Sequence, residues 1–402
     1  MQETVLRQTV QKQIAQNRRL FQEISDYIFR HPELGGEEVL SSQYLKHILE
    51  QEGFTVTAPY EILPTAFTAE YGEGDFTVAF LAEYDALPGY GPKREPAHAC
   101  GHNWIAASMT GAAIVLAKLA DGLKCRVKLI GTPAEETFGA KYDLCRCGAF
   151  DDVNAAFQAH LECANAIEPA TLAMNSVEFV FKGKAAHAAQ HPEKGINALD
   201  SVILMFNGIN ALRQQVRQDA RIHGIITEGG EAANIIPDRA VCRFSFRARD
   251  VRYLRELRKK IVDIAEASAK MAGTQLVYQD YENPFDDLCC IPALTKVCRK
   301  EFEQVGITDF VPPEQYDAPG SSDIGNVSHV CPTQYVELAL DGEETVLVHD
   351  ESALKLVNSA AAYRKMDQTI EAFVMSAARI AGDEVLRAEI QNEFYERQGS
   401  KN

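Results

Sequence analysis

The 402-residue sequence lacks several features that mark membrane, secreted and disulfide-stabilised proteins. No stretch approaches the roughly 20 apolar residues that a membrane-spanning helix needs. The polar N-terminus has no apolar core of signal-peptide length. Its ten cysteines are scattered without the spacing of a disulfide framework. We therefore expect no membrane association and a reducing, cytoplasmic compartment.

The chain also lacks an excess of basic residues. Its 40 lysines and arginines are outnumbered by 57 aspartates and glutamates, and the net charge is −17. Such a surface repels phosphate backbones, so we expect no nucleic-acid partner. What is present, 46% hydrophobic and 24% charged residues, is ordinary for a globular enzyme. The length favours two packed units over one.

The first 172 residues alternate helical and strand patterns. Apolar residues recur at helical spacing, and short continuous apolar runs are typical of buried strands. The helical patterns cover 5–30, 38–52 and 104–120, and the strand patterns cover 76–83, 127–132 and 153–159. Strands that alternate with helices indicate βαβ units and a largely parallel sheet.

The pattern changes near residue 173. Strands are predicted at 176–182, 221–227, 239–248 and 274–281, and helices at 196–217 and 251–272. This βαββαβ order is typical of a ferredoxin-like α+β domain. From about 291 the helix–strand alternation resumes and ends in a helix near 353–382. We predict an α/β catalytic domain with a mostly parallel sheet, formed by 1–172 and 291–402, into which a lid domain, 173–290, is inserted.

Side chains suited to metal binding lie at the ends of predicted strands and just before predicted helices. Cys100 and His102 are separated by one glycine, which lets the backbone approach a cation closely. Glu135 and Glu136 follow the strand at 127–132, at the sheet edge where α/β folds place their ligands. Each pair taken alone also has a structural interpretation, such as solvated glutamates in a turn. With histidines at two further sites, the set indicates a metal centre.

This set contains more donors than one ion needs. One thiolate, three imidazoles and one carboxylate exceed the demand of a single tetrahedral zinc ion, so we expect a pair of ions about 3.5–4 Å apart. Manganese or zinc fits these ligands first, and cobalt or nickel next. Glu135 is then placed to take a proton from a water and return it to the leaving amine. The predicted ligands are Cys100, His102, Glu136, His160 and His349.

Two other interpretations stay open on the residues alone. One is a non-catalytic metal- or metabolite-binding protein on the same scaffold. It would bind metal without hydrolysing any substrate, whereas a metal-dependent hydrolase would do both. A cysteine hydrolase that uses Cys100 with His98 or His102 is the third interpretation. It predicts insensitivity to chelators and sensitivity to thiol alkylation.

Six segments follow one another in an order that resembles a known family. They are DALP (85–88), HACGHN (98–103), PAEE (133–136), GKAAHAA (183–189), NIIPD (234–238) and GSSD (320–323). Over roughly residues 20–385 the chain resembles the amidohydrolase branch of the aminoacylase and glutamate-carboxypeptidase family of co-catalytic metallopeptidases. That branch includes hippurate, auxin-conjugate and p-aminobenzoyl-glutamate hydrolases. The resemblance implies the ligands named above, Glu135 as catalytic acid/base, and a small N-acyl, N-aroyl or dipeptide substrate with a free carboxylate.

The resemblance also implies roles for five further residues. Asp85 resembles an aspartate that supports a ligand histidine. His187 resembles a lid histidine that reaches a neighbouring active site across a dimer and steadies the oxyanion. Asn234 and Arg247 resemble the pair that holds the substrate carbonyl and carboxylate, and His223 is a further substrate-binding candidate. A homodimer through the lid follows, and an edge strand near 221–227 is suited to pair across the two-fold axis.

Three positions depart from the family pattern or have a simpler explanation. Asn103 stands where many relatives have an aspartate, and we expect this change to alter metal affinity. The stretch 91–96 is longer than the expected connection and is interpreted as a surface insertion. Ser322 and Asp323 precede a predicted helix start and are interpreted as helix caps.

Overall fold

The computed structural model describes residues 3–58, 62–313, 315, 320–342 and 345–399. The chain divides into two units. The second unit is Thr171–Asp287 with residues 320–322, and the first unit is formed by the described residues before and after it. Each unit has its own hydrophobic core. Within these ranges, the helices all fall short of the length or apolar character needed to cross a membrane.

The elements are numbered in chain order. The helices are α1 (Glu3–Arg30), α2 (Val39–Gln51), α3 (His102–Ala117), α4 (Ala120–Leu123), α5 (Ala140–Arg146), α6 (Ala198–Leu212), α7 (Val251–Ala272), α8 (Pro292–Gln304), α9 (Ile324–Ser328), α10 (Ala360–Ala381) and α11 (Glu384–Gly399). The strands are β1 (Thr55–Thr57), β2 (Phe67–Tyr71), β3 (Phe76–Ala82), β4 (Cys125–Gly131), β5 (Ala155–Leu161), β6 (Ala173–Lys182), β7 (Arg221–Glu228), β8 (Arg239–Ala248), β9 (Gln275–Asp280) and β10 (Thr333–Leu338).

The first unit is built on a six-stranded sheet in the order β1-β2-β4-β3-β5-β10. The strands β4, β3, β5 and β10 are mutually parallel, whereas β1 and β2 add antiparallel pairs at one edge. Every residue of β3, β5 and β10 is buried, as expected for strands covered on both faces. The predicted mostly parallel sheet is confirmed. The sequence did not predict β1 and β2, which are short and rich in threonine.

Helix α3 is buried along its whole length. All of its residues are buried, and it packs against α1, α10 and the sheet. Its alanine-rich sequence suits this position because small side chains allow close approach on every side. The preceding Gly101 has a φ of +79°, a backbone conformation that residues other than glycine rarely adopt. This turn starts the helix at His102. The buried indole of Trp104 donates to the Ala362 carbonyl at 2.8 Å.

The second unit is an antiparallel sheet covered by two helices. Its strand order is β7-β8-β6-β9, and α6 and α7 pack on each other and on the central strands β6 and β8. Helix α7 begins after Asp250, whose side chain accepts from the Tyr253 N–H, and is followed by Gly273, which has a φ of +75°. The predicted ferredoxin-like order is confirmed. Strand β7 lies at one edge of the sheet.

Two local predictions were wrong. The helix predicted at 353–382 is split into a short 3-10 turn, Glu351–Lys355, and α10, because Ser359 accepts from the Ala362 N–H and starts the second segment. Asp323 precedes α9 but its side chain makes no capping bond. Its carboxylate instead accepts from the backbone and the ammonium group of Lys141.

Candidate metal centre

The candidate centre lies where parallel strands end. Strands β3, β4 and β5 run in the same direction, so their carboxyl ends share one edge of the sheet. Glu83 and Asp85 follow β3, Glu135 and Glu136 follow β4, and His160 is the penultimate residue of β5. Side chains that are distant in the sequence therefore meet at this edge because of the strand order.

Two further segments close the site. Cys100 and His102 lie at the start of α3, and both are buried. The segment that carries His349 is tied to them, since the His349 N–H donates to the Ala99 carbonyl at 3.0 Å. His349 has a φ of +60°, and its side chain is half exposed. This segment forms the more open side of the cluster.

The donor atoms of these residues form overlapping groups. Within each group, one donor atom from every residue lies within 4.8 Å of the others. Two of the groups share the thiol of Cys100. The groups are Cys100–His102–His160, Cys100–Glu136–His349 and His102–Glu135–Glu136. All five predicted ligands and the predicted base therefore lie together in the structure.

Hydrogen bonds orient the two buried imidazoles. His102 Nδ1 lies 2.9 Å from Asp85 Oδ1, and His160 Nδ1 lies 2.7 Å from the Leu161 carbonyl. In each ring Nδ1–H donates outward, so Nε2 is directed into the cluster. His160 Nε2 lies 3.4 Å from Cys100 Sγ. This is the tautomer in which both rings present Nε2 to a cation.

The buried atom His102 Nε2 has no hydrogen-bond partner among the described residues. It faces carboxylate oxygens of Glu83 and Glu136, each at 3.7 Å. Burial opposes protonation of His102, but Asp85 and these two carboxylates outweigh it and raise its pKa well above the ordinary value. The pocket thus favours positive charge at an atom without a partner, and a divalent cation fits both features.

Adjacent carboxylates have opposite electrostatic environments. Burial, followed by the charges of Glu136 and Glu83, raises the pKa of Glu135 well above its usual range. Burial also disfavours ionisation of Glu136, but His349 Nε2 at 3.1 Å and the charge of His102 lower its pKa to about 2. Glu135 is therefore suited to accept a proton, whereas Glu136 is suited to remain ionised and to bind a metal ion through its carboxylate oxygens.

The same environment argues against a cysteine nucleophile. Burial, with the charges of Glu136 and Glu135 next, raises the pKa of the Cys100 thiol well above its usual value. An activated cysteine needs the opposite shift. Burial also lowers the pKa of His98 to about 3, so His98 is poorly suited to act as its base.

Sequence reasoning missed a buried charged group beside Glu135. Lys141 is fully buried, and its Nζ lies 2.5 Å from both Glu83 Oε1 and Asp323 Oδ1. Oxygens of Glu83, Glu135 and Asp323 lie within 4.8 Å of one another. The signal in the sequence was a glutamate at the end of an otherwise apolar strand. The two partners of Lys141 are separated from it by 58 and 182 residues, and no local pattern connects them.

The predicted substrate-binding residues belong to the second unit. His187 and Asn234 are exposed and adjacent, since His187 forms an isolated bridge with Ile235 and the Ala188 N–H donates to the Asn234 carbonyl at 3.0 Å. His223 on β7 and Arg247 on β8 lie on the sheet face opposite to the buried Phe244 and Phe246.

The two departures from the family pattern have clear local structures. The amide of Asn103 is buried and donates to Asn358 Oδ1 at 2.6 Å and to Ser25 Oγ at 2.8 Å, so it bonds outside the donor cluster. Residues 91–96 form a tight turn in which the Gly91 N–H donates to the Glu95 carbonyl at 2.9 Å. Four consecutive residues of this turn, 92–95, are exposed.

Comparison with known proteins places this arrangement in a family context. Residues 79–375 match the family described as peptidase family M20/M25/M40. The chain is 32% identical over 390 residues to a human Xaa-Arg dipeptidase, covering 92% of this chain and 88% of that protein. It is 36% identical over 291 residues to one of the subunits of the Escherichia coli K12 p-aminobenzoyl-glutamate hydrolase, covering 69% and 60% respectively. A Bacillus subtilis structure, described as a dinuclear metal-binding peptidase of the M20 family, has the same fold, with a TM-score of 0.65, 22% identity and coverage of 90% and 98%.

Proposed function

Because the chain belongs to peptidase family M20/M25/M40, we propose that it hydrolyses the amide bond of a small N-acyl or N-aroyl amino acid or dipeptide with a free carboxylate. The family and its named relatives make the protein a metal-dependent hydrolase that acts on linear amides. The narrower substrate class is supported by the names of two relatives, which describe a dipeptide and a p-aminobenzoyl-glutamate substrate.

Divalent metal ions are the cofactor of this family. We propose that two ions are held by Cys100, His102, Glu136, His160 and His349. The observation that carries this proposal is the pair of donor groups that share Cys100, with the buried His102 Nε2 directed between two carboxylates. Manganese or zinc suits this mixture of thiolate, imidazole and carboxylate first, and cobalt or nickel next.

Glu135 is the proposed general base and acid. Ions bound at this site would lower the pKa of a water and polarise the amide carbonyl. Burial and the neighbouring carboxylates raise the pKa of Glu135, so it has a high affinity for the proton that the attacking water releases. The same carboxyl then delivers this proton to the departing amine. Asp85 is proposed to support the ligands, because its carboxylate accepts from both the His102 ring and the Glu136 N–H, the latter at 2.9 Å.

The residues of the second unit are proposed to bind substrate. Arg247 is half-buried and donates to Ser321 Oγ at 3.2 Å, and its guanidinium suits a substrate carboxylate. Asn234 is proposed to hold the substrate carbonyl. His187 is proposed to steady the oxyanion in a neighbouring protomer, and His223 to contribute to binding.

A homodimer through the second unit is part of this proposal. Strand β7 is a sheet edge, and its Ile225 and Ile226 are 63% and 45% exposed, which suits pairing with a second copy. In a sedimentation experiment, we expect the wild type to be a dimer and Ile225→Lys to form a weaker dimer, because the lysine adds a charge at the edge strand. A monomeric wild type would contradict the proposal. We also propose a reducing, cytoplasmic compartment, which is supported by ten cysteines without the spacing of a disulfide framework.

Glu135→Gln tests the function directly. We expect turnover to fall by about 10²–10⁴-fold because the general base is lost. The affinity for manganese or zinc should remain close to that of wild type, since Glu135 is outside the proposed ligand set. The assay uses a panel of dipeptides, hippurate and p-aminobenzoyl-glutamate with each of the four metals. Retained turnover in Glu135→Gln would refute the mechanism, and metal binding without hydrolysis of any substrate would favour the non-catalytic alternative.

A further inference from the structure

The turn that carries Glu135 and Glu136 has an unfavourable backbone conformation. Ala134 has a φ of +60° although it is not glycine, and it is fully buried. Residues with a Cβ rarely adopt this conformation, and it persists only where the surroundings impose it. The direction of both glutamates depends on it because they are the next two residues of the chain.

One buried carboxylate holds this alanine. The Ala134 N–H donates to Glu38 Oε1 at 2.8 Å, and Glu38 is fully buried. The second oxygen, Glu38 Oε2, accepts from the Thr65 hydroxyl at 2.8 Å. Both oxygens of Glu38 are therefore engaged, and the side chain has one defined orientation. Glu38 and Asp85 together bind the N–H groups on either side of Glu135.

Glu38 stands at the start of α2 but does not cap it. Its side chain makes no capping hydrogen bond to α2. Glu33 serves that helix instead, because its two carboxylate oxygens accept from the Leu40 and Ser41 N–H groups, each at 2.9 Å. The local helical role is thus filled by another residue, and the carboxylate of Glu38 is directed to the turn.

The loop before Glu38 packs directly on the same turn. A Cβ added to Gly35 would lie 2.3 Å from Thr137 Oγ1 and 3.0 Å from the Ala134 Cα. Such contacts leave no room for any side chain at Gly35. The approach of this loop brings Glu38 within hydrogen-bonding distance of Ala134.

We infer that Glu38 is a positioning residue for the proposed reaction, holding Ala134 in its left-handed conformation so that Glu136 meets the metal ions and Glu135 meets the attacking water. It acts through the backbone of the turn and does not contact substrate. The inference rests on the proposed function. It adds a residue from the N-terminal loop, 35–38, to the groups that determine the geometry of the centre.

Glu38→Ala, Glu38→Gln and Ala134→Gly separate this role from general stability. Glu38→Ala should lower kcat and metal affinity by about 10–100-fold, as the loss of other groups that orient ligands does, with little change in KM. Glu38→Gln should retain most activity, because an amide oxygen still accepts from the Ala134 N–H and the Thr65 hydroxyl can reverse its role. Burial, followed by the charge of Asp85, raises the pKa of Glu38 to about 7, so an uncharged group is tolerated there.

Ala134→Gly added to Glu38→Ala should restore part of the lost kcat, since glycine adopts a positive φ without steric cost. Glu33→Ala is the matched control, because it disturbs the same loop without touching the turn, and it should change stability but not metal affinity. If Glu38→Ala does not fold, Thr65→Val removes only the bond that steadies Glu38 and should show a smaller loss in the same direction.

For each variant, metal affinity is measured by calorimetric titration of chelator-treated protein without substrate. Amide hydrolysis is measured in parallel. Equal losses in Glu38→Gln and Glu38→Ala, equal losses in Glu33→Ala, or unchanged metal affinity in folded Glu38→Ala would each overturn the inference. A wild type that binds metal but cleaves no amide would refute the proposed function alone, and the affinity series would still decide the role of Glu38. A wild type that binds no divalent ion would overturn both.

Discussion

Replacing Lys141 by methionine should destabilise the first unit strongly. Its ammonium group lies 2.5 Å from both Glu83 and Asp323, and all three side chains are at most 1% exposed. Methionine fills a similar volume but leaves two buried carboxylates without their cation. Removing one partner of a buried ion pair typically costs about 3–5 kcal/mol.

The arrangement of the carboxylates places the expected loss at the upper end of this range. Oxygens of Glu83 and Asp323 lie within 4.8 Å, with Glu135 equally close. Two charges at this separation repel by about 3 kcal/mol at an effective dielectric constant of about 20. We therefore expect a loss of about 5 kcal/mol in the free energy of unfolding at pH 8.

The loss should shrink at lower pH. Without Lys141, the buried carboxylates have pKa values above those of the unfolded chain, so the folded variant binds more protons. The free energy of unfolding of this variant is then higher at low pH and falls as the pH rises through the raised pKa. We expect a loss of about 2 kcal/mol at pH 5, where one protonated carboxyl removes the repulsion.

Urea unfolding followed by tryptophan fluorescence measures this effect. Trp104 is the only tryptophan and is fully buried in α3 of the same unit. The control is the triple variant Lys141→Met, Glu83→Gln, Asp323→Asn, which also removes the charges of the two carboxylates that contact Lys141 and should recover most of the loss. A loss below about 1 kcal/mol, or one independent of pH, would refute the reasoning.

Three further predictions concern the metal centre. Asp85→Asn should weaken metal binding by about 10–100-fold in a calorimetric titration, because it no longer accepts from both His102 and the Glu136 N–H; unchanged affinity would contradict this. Asn103→Asp should lower the midpoint of urea unfolding more than it changes metal affinity, since a carboxylate would face Asn358 Oδ1; the reverse order would show that residue 103 acts on the metal. Saturating metal at about 100 times its Kd should stabilise chelator-treated protein by about 2.7 kcal/mol in the same assay.

Local patterns in the sequence were sufficient for the fold class. Strand β3 is an almost continuous apolar run covered on both faces, whereas apolar and polar residues alternate in part of β6, which has one face less covered. The same patterns could not reveal β1 and β2, which are only three and five residues long. β2 takes its place in the sheet by pairing with β4, and β1 by pairing with β2, and a local pattern does not encode these partners.

The ordered motifs determined which residues are suited to metal chemistry. Cys100 and His102 could be named from their residue types and their spacing just before a helix, and Glu135 and Glu136 from their position after a strand. That parallel strands end at a common edge is a general rule, so the rule alone predicted that these side chains meet. The structure brings them together with His160 and His349.

Only the tertiary structure decided which groups orient and balance this cluster. No sequence pattern singled out Lys141, and Asp323 was interpreted as a helix cap, yet both are buried beside Glu83. Glu38 is separated by 96 residues from the alanine that it holds. Burial turns such polar residues into obligatory partners, since an unpaired charge inside a protein is costly. Which residues become partners depends on how distant segments pack, and this information is not local in the sequence.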